Sequence, residues 1–128
     1  MPVTSVDAER EYDGEQVSTV EFVETDRIKT VCAYFEPGQF IPVHAPASDV
    51  VIVVQSGSGI VREGDTDHAV ESGSVVVVTA DTDRGIRADS ESQLEAVLVA
   101  SPPPTEAERE SVHNRLQGDA FDPSEREE

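Results

Sequence analysis

From Val17 onward the apolar residues fall into short runs of β-branched and aromatic side chains, each broken by turn-forming residues. The first two runs, 18–23 (STVEFV) and 28–35 (IKTVCAYF), have the composition that pleated, half-buried strands prefer. Further runs follow at 50–54, 60–62, 68–70, 74–79, 85–87 and 94–100. Between them lie Pro37-Gly38, Pro42, Pro46, Ser56-Gly57-Ser58-Gly59, Glu63-Gly64-Asp65, Ser72-Gly73, Asp81-Thr82-Asp83 and Asp89-Ser90, each read as a turn. Many short strands with turns roughly every eight to twelve residues predict an all-β sandwich or barrel. No alternation of strand and helix supports a parallel sheet.

The two ends of the chain read differently. Residues 1–19 are polar, with Val3, Val6, Tyr12 and Val17 too scattered for one period, and predict an extended arm with one short strand laid over the body. Pro102-Pro103-Pro104 stops the sheet, because consecutive prolines donate no ladder hydrogen bonds. Thr105 and Glu108 then form a capping box, Val112 and Leu116 stand four apart, and Gly118 can close the turn. A single helix over 106–117 is expected, with the last ten residues frayed. The chain accordingly divides into an arm with first strand (1–27), a barrel (28–101), and a Pro-rich turn, short helix and acidic tail (102–128).

Charge changes the picture. The 128 residues carry 27 acids against 9 bases, a formal charge of −18. Residues 1–29 hold eight acids, 30–101 eleven and 102–128 eight, with three bases in each segment, so the excess covers the whole molecule. Such a surface repels nucleic acid and anionic lipid, and neither is expected as a partner. Lys29 is the one lysine among these bases, valine is abundant and tryptophan absent. This composition resembles that of proteins from salt-in halophilic archaea. No run approaches the ~20 apolar residues that cross a bilayer. The first residues lack the basic head and apolar core of a signal peptide, so a cytoplasmic location is expected. Cys32 is the one cysteine, which leaves no internal disulfide and no cysteine-based zinc site.

The spacing of particular residues carries a resemblance. The stretch Gly38-x5-His44-x-Pro46-x3-Val50-x6-Gly57 resembles the first motif of the cupin superfamily, G-x5-H-x-H-x3,4-E-x6-G. The stretch Gly73-x5-Thr79-x-Asp81-x2-Arg84-x3-Ala88 has the spacing of the second, G-x5-P-x-G-x2-H-x3-N. The resemblance implies an antiparallel cupin barrel, that is, a double-stranded β-helix or jelly roll, with one short C-terminal helix. It also implies a homodimer. Active cupins hold a metal with three His and one Glu, and here those positions are His44, Pro46, Val50 and Arg84. An aliphatic side chain has no lone pair to donate and a guanidinium repels a cation. No metal and no other cofactor is therefore expected.

The remaining groups suggest a different occupant. His44 and Arg84, if they share the barrel mouth, present hydrogen-bond donors suited to a small anionic or carbonyl-bearing ligand. The plainer alternatives are a histidine satisfied by a neighbour and an arginine ion-paired with Asp49, Asp81 or Asp83. Asp49 can lock Arg84 or act as a base, and Tyr34 either lines the mouth or packs against the arm. Arg87 should face outward with Gly85, His68 should be exposed, and Cys32 should be a small buried hydrophobe. Gly57-Ser58-Gly59 reads as a hairpin turn, because no helix follows it. Three functions compete. They are a metal-free binding module for a small ligand, an enzyme with a remodelled metal site or His44 as acid and base, and an interaction protein built around an empty barrel.

Overall fold

The computed structural model describes residues 3–116 and Phe121. Ser5 caps a four-residue helix α1 (Val6–Glu9) by accepting from Ala8 N, so the arm contains a helical turn where a short strand was expected. The strands follow as β1 (Ser18–Glu24), β2 (Lys29–Phe35), β3 (Phe40–His44), β4 (Asp49–Glu63), β5 (Thr66–Glu71), β6 (Val75–Val78), β7 (Arg84–Ala88) and β8 (Leu94–Ser101). Helix α2 (Glu106–Leu116) comes after them. All strand pairs are antiparallel. The fold is thus the all-β, antiparallel barrel with a short C-terminal helix that the pattern and the resemblance together implied.

Two sheets meet along β4. Its first half pairs with β8 and β6, and its second half with β7 and β5. One sheet therefore runs β1-β2-β8-β4-β6 and the other β3-β7-β4-β5. The glycine-rich stretch at 56–59, expected as a hairpin turn, is instead the bend where this continuous strand passes from one sheet to the other. Gly57 there has φ +86°, and a Cβ on it would lie 1.8 Å from Gln93 O. Only a residue without a side chain fits that backbone. Strand β3 was not foreseen, because Pro42 reads as a turn, yet Pro42 sits inside it at a register irregularity, as prolines in strands do.

Alternation decides what each strand presents. From β2, Ala33 and Phe35 enter the core, as do Val50, Ile52 and Val54 from β4 and Leu94 and Ala96 from β8. On the outer face, Val51 lies between Val77 and Val99, and Val53 between Val75 and Val97. The arm lies over this sheet, as expected. Tyr34 donates to Val6 O at 2.8 Å, and the buried Glu95 binds Arg10 Nε at 2.5 Å and the Tyr12 hydroxyl at 2.6 Å. The capping box of α2 forms in both directions, Thr105 N to Glu108 Oε1 and Glu108 N to Thr105 Oγ1. Phe121 departs from the frayed tail that was expected. It is buried on the outer face of the second sheet, between Arg62 and Arg87. Gly118 and the rest of the tail lie outside the described residues.

Candidate functional site

The open end of the barrel holds a cavity of about 330 Å3, at the small end of ligand pockets (~300–1,000 Å3). Its walls are largely aliphatic, with Val31, Val50, Ile52, Ile86 and Leu98 among them. They are the inward residues of β2, β4, β7 and β8, continued beyond the point where the core fills the barrel. His44 and Arg84 both line it, and their Cα positions face each other across β3 and β7. Two residues that are far apart in the chain thus meet on one wall.

Arg84 is 5% exposed, and burial pushes its guanidinium below its ordinary value, against the opposing pull of Asp49, Asp81 and Glu108. Its Nη2 donates to Thr79 O at 2.8 Å and its Nε to Thr82 O at 3.3 Å. Among the described residues, no carboxylate oxygen comes within the 4.0 Å of an ion pair. Neutral carbonyls therefore anchor one edge of the guanidinium, and its positive charge stays uncompensated by direct contact. Asp81 takes φ +64° in the loop that supplies these carbonyls, a conformation that aspartate tolerates better than most residues.

His44 Nδ1 lies 2.8 Å from Pro42 O. A carbonyl can only accept, so Nδ1 carries the hydrogen and the ring orientation is fixed. Helix α2 closes one side of the cavity with Glu108, Arg109 and Val112, next to Pro104 of the preceding turn. Glu108 accepts from Ala47 N at 2.9 Å, and Arg109 reaches Glu24 at 3.5 Å, so the helix bridges the two sheets across the mouth. Backbone hydrogen bonds from Thr105 and Ala47 hold the Glu108 carboxyl below its usual range, helped by the nearby His44. From β2, in the first sheet, Lys29 also lines the cavity with its side chain 14% exposed, 3.6 Å from Glu21.

Neither the family models nor the curated proteins contain a match to this chain. Solved structures do. A Thermus thermophilus protein superposes with a TM-score of 0.78 at 24% identity, covering 81% of this chain and 100% of its own. An RmlC-like cupin from Desulfovibrio desulfuricans gives 0.72 at 25%, covering 80% and 98%. A Klebsiella pneumoniae protein with a double-stranded β-helix domain gives 0.73 at 20%, covering 80% and 90%. The fold is that of a cupin.

The four residues that the sequence resemblance sets at a cupin's metal-ligand positions, His44, Pro46, Val50 and Arg84, all line the cavity. A metal would find one imidazole, two side chains without lone pairs and a buried cation, and this donor set does not fit one. Among the described residues, no group of three His, Cys, Asp or Glu is placed to hold an ion. His113 lies outside the residues whose side chains are described.

Two candidate residues stand away from the cavity. Asp49 does not lock Arg84. It is exposed, points outward opposite to Val50, and accepts from Ala80 N at 2.8 Å. Tyr34 does not line the mouth, because it alternates with the inward Ala33 and Phe35. Its ring stacks edge-on against Tyr12 of the arm. Cys32 is fully buried, and burial raises its thiol above the ordinary value. Arg87 is exposed on the outer face, as alternation required. His68 pairs with Glu63 at 3.0 Å, its side chain 42% exposed. Three charged lining residues were missed: Lys29, Glu108 and Arg109. For Lys29 a signal exists, since its parity with Val31, Ala33 and Phe35 turns it inward.

Proposed function

We propose that this cupin binds a small organic anion with an apolar body in its barrel mouth, without a metal. The observation that carries this reading is a reversal of charge. A chain of −18 with 9 bases among 128 residues sends three of them, Lys29, Arg84 and Arg109, to one cavity, together with His44. Of its 27 acids, Glu108 alone is among the lining residues described. Scattered at random, three times as many acids as bases would meet there. The aliphatic walls favour a hydrocarbon body, and Arg84 offers a fork of donors for a carboxylate.

A thermal-shift series of aliphatic carboxylates tests this. Saturation at 100 times Kd stabilises the native state by ~2.7 kcal/mol. Wild type gains the stabilisation and Arg84→Gln does not. If wild type responds to no carboxylate, or the variant responds equally, the reading is wrong. The same reading includes a homodimer through the outer face of the first sheet. Val75 and Val77 are 61% and 55% exposed there, in a six-valine grid without an ionisable group. In so acidic a molecule, such a face lets a second copy approach without opposed charges. Light scattering should give twice the chain mass, and a single chain mass would refute it.

A further inference from the structure

Within this anion-binding reading, we infer that the cavity is built for a dianion, specifically a linear dicarboxylate whose two ends are held on opposite walls. The cationic groups are not gathered at one point. Arg84 stands on β7, in the second sheet, paired with His44 of β3. Lys29 enters from β2, in the first sheet, and Arg109 is drawn to the same side by Glu24 at the end of β1. Between the two poles the wall is aliphatic, with Val31, Val50, Ile52 and Leu98 among its residues. A monoanion with an apolar tail would satisfy Arg84 and press its tail against the Lys29 ammonium, a poor match. A second carboxylate at that end places charge against charge and methylenes against valines and leucine.

The second pole is available to such a ligand. Lys29 and Arg109 touch their carboxylates at 3.6 and 3.5 Å, longer than the ~2.7–2.9 Å of a strong charge-assisted hydrogen bond. Glu21 is half exposed and Glu24 one-third exposed, so water can take over when an incoming carboxylate replaces them. Lys29 is also the sole lysine, in a chain whose other bases are arginine. Its amine can therefore be followed without interference from any other side chain.

The test compares dicarboxylates from succinate to suberate with monocarboxylates of equal carbon number, by calorimetry on the full chain. At the best-fitting length the dicarboxylate should bind at least tenfold tighter. Lys29→Gln together with Arg109→Gln should bring it down to the monocarboxylate value, while Arg84→Gln removes both. On wild-type protein, acylation of Lys29 by an amine-reactive ester should be slowed by the dicarboxylate and not by the monocarboxylate, a readout that needs no variant to fold. Equal affinity for the two series, or a preference that survives the double substitution, overturns the two-pole inference and leaves the anion site standing. Binding of neither series overturns the anion reading beneath it.

Discussion

Two buried charged residues, Glu95 and Arg84, show how the same feature can serve structure or function. Glu95 has its charge fully spent. Arg10 grips both carboxylate oxygens, Tyr12 donates to one and Ser56 to the other. Arg10 chiefly, with Tyr12 and against the cost of burial, holds this carboxyl below its ordinary value. A carboxyl depressed in the folded state stabilises fully above its unfolded value near ~4.3, and that contribution fades as pH falls through the folded value. Glu95→Gln should therefore cost about 2 kcal/mol at neutral pH and flatten the acid limb of a stability-versus-pH curve measured by denaturant titration. An unchanged acid limb would show that Glu95 does not strap the arm to the sheet. Among the described residues Arg84 is held by carbonyls alone, which leaves its charge to meet a ligand. Glu108 is the acid that opposes such a ligand. Glu108→Gln keeps the capping box and should tighten carboxylate binding roughly three- to tenfold; weaker binding in calorimetry would give Glu108 a supporting role instead.

At the scale of elements, β4 carries the architecture, and its bend rests on one glycine. Gly57→Ala forces a Cβ to 1.8 Å from Gln93 O, which should cost about 3 kcal/mol or more. Gly73 has a similar positive φ of +94° with nothing within 4 Å of a Cβ, so Gly73→Ala should cost only about 1–2 kcal/mol. Equal losses for the two in urea titration would mean that backbone conformation alone, and not the close approach, makes Gly57 necessary. The same bend shows where the sequence could and could not be read. Runs of β-branched residues revealed the strands, because strand composition is local. Gly57-Ser58-Gly59 looked like a hairpin turn, because a bend and a turn require the same backbone freedom and differ only in what the next residues pair with. Pro42 hid β3 for a related reason: it is tolerated at an irregularity that only the partner strand defines. Alternation turns Asp49 and Tyr34 outward and Lys29 inward only once the strand bounds are fixed; without those bounds the sequence leaves the first two as candidates and passes over the third. Glu108 and Arg109 had no such signal, since their place depends on how α2 crosses the mouth after Pro102-Pro103-Pro104.

The whole molecule sets two electrostatic demands against each other. At −18 the surface repels itself, while the described residues lining the cavity include three bases against one acid. Salt acts on both, in opposite directions. Near 1 M the Debye length is ~3 Å, and near 0.01 M it is ~30 Å, comparable to the molecule itself. In dilute buffer the acids of all three segments then act on one another, and the compact state loses stability relative to an expanded chain that separates them. Lowering KCl from about 2 M to about 0.05 M should therefore shift the urea midpoint downward; equal midpoints would refute the adaptation to salt that the composition suggests. The site should respond the other way, because its cations attract a carboxylate more strongly as screening falls. Carboxylate affinity should rise on dilution until the fold itself fails, giving a maximum at intermediate salt in the ligand-bound fraction. Affinity that instead falls steadily with dilution, while the circular dichroism of the sheet is unchanged, would mean that the negative surface outweighs the basic cavity and keeps anions out.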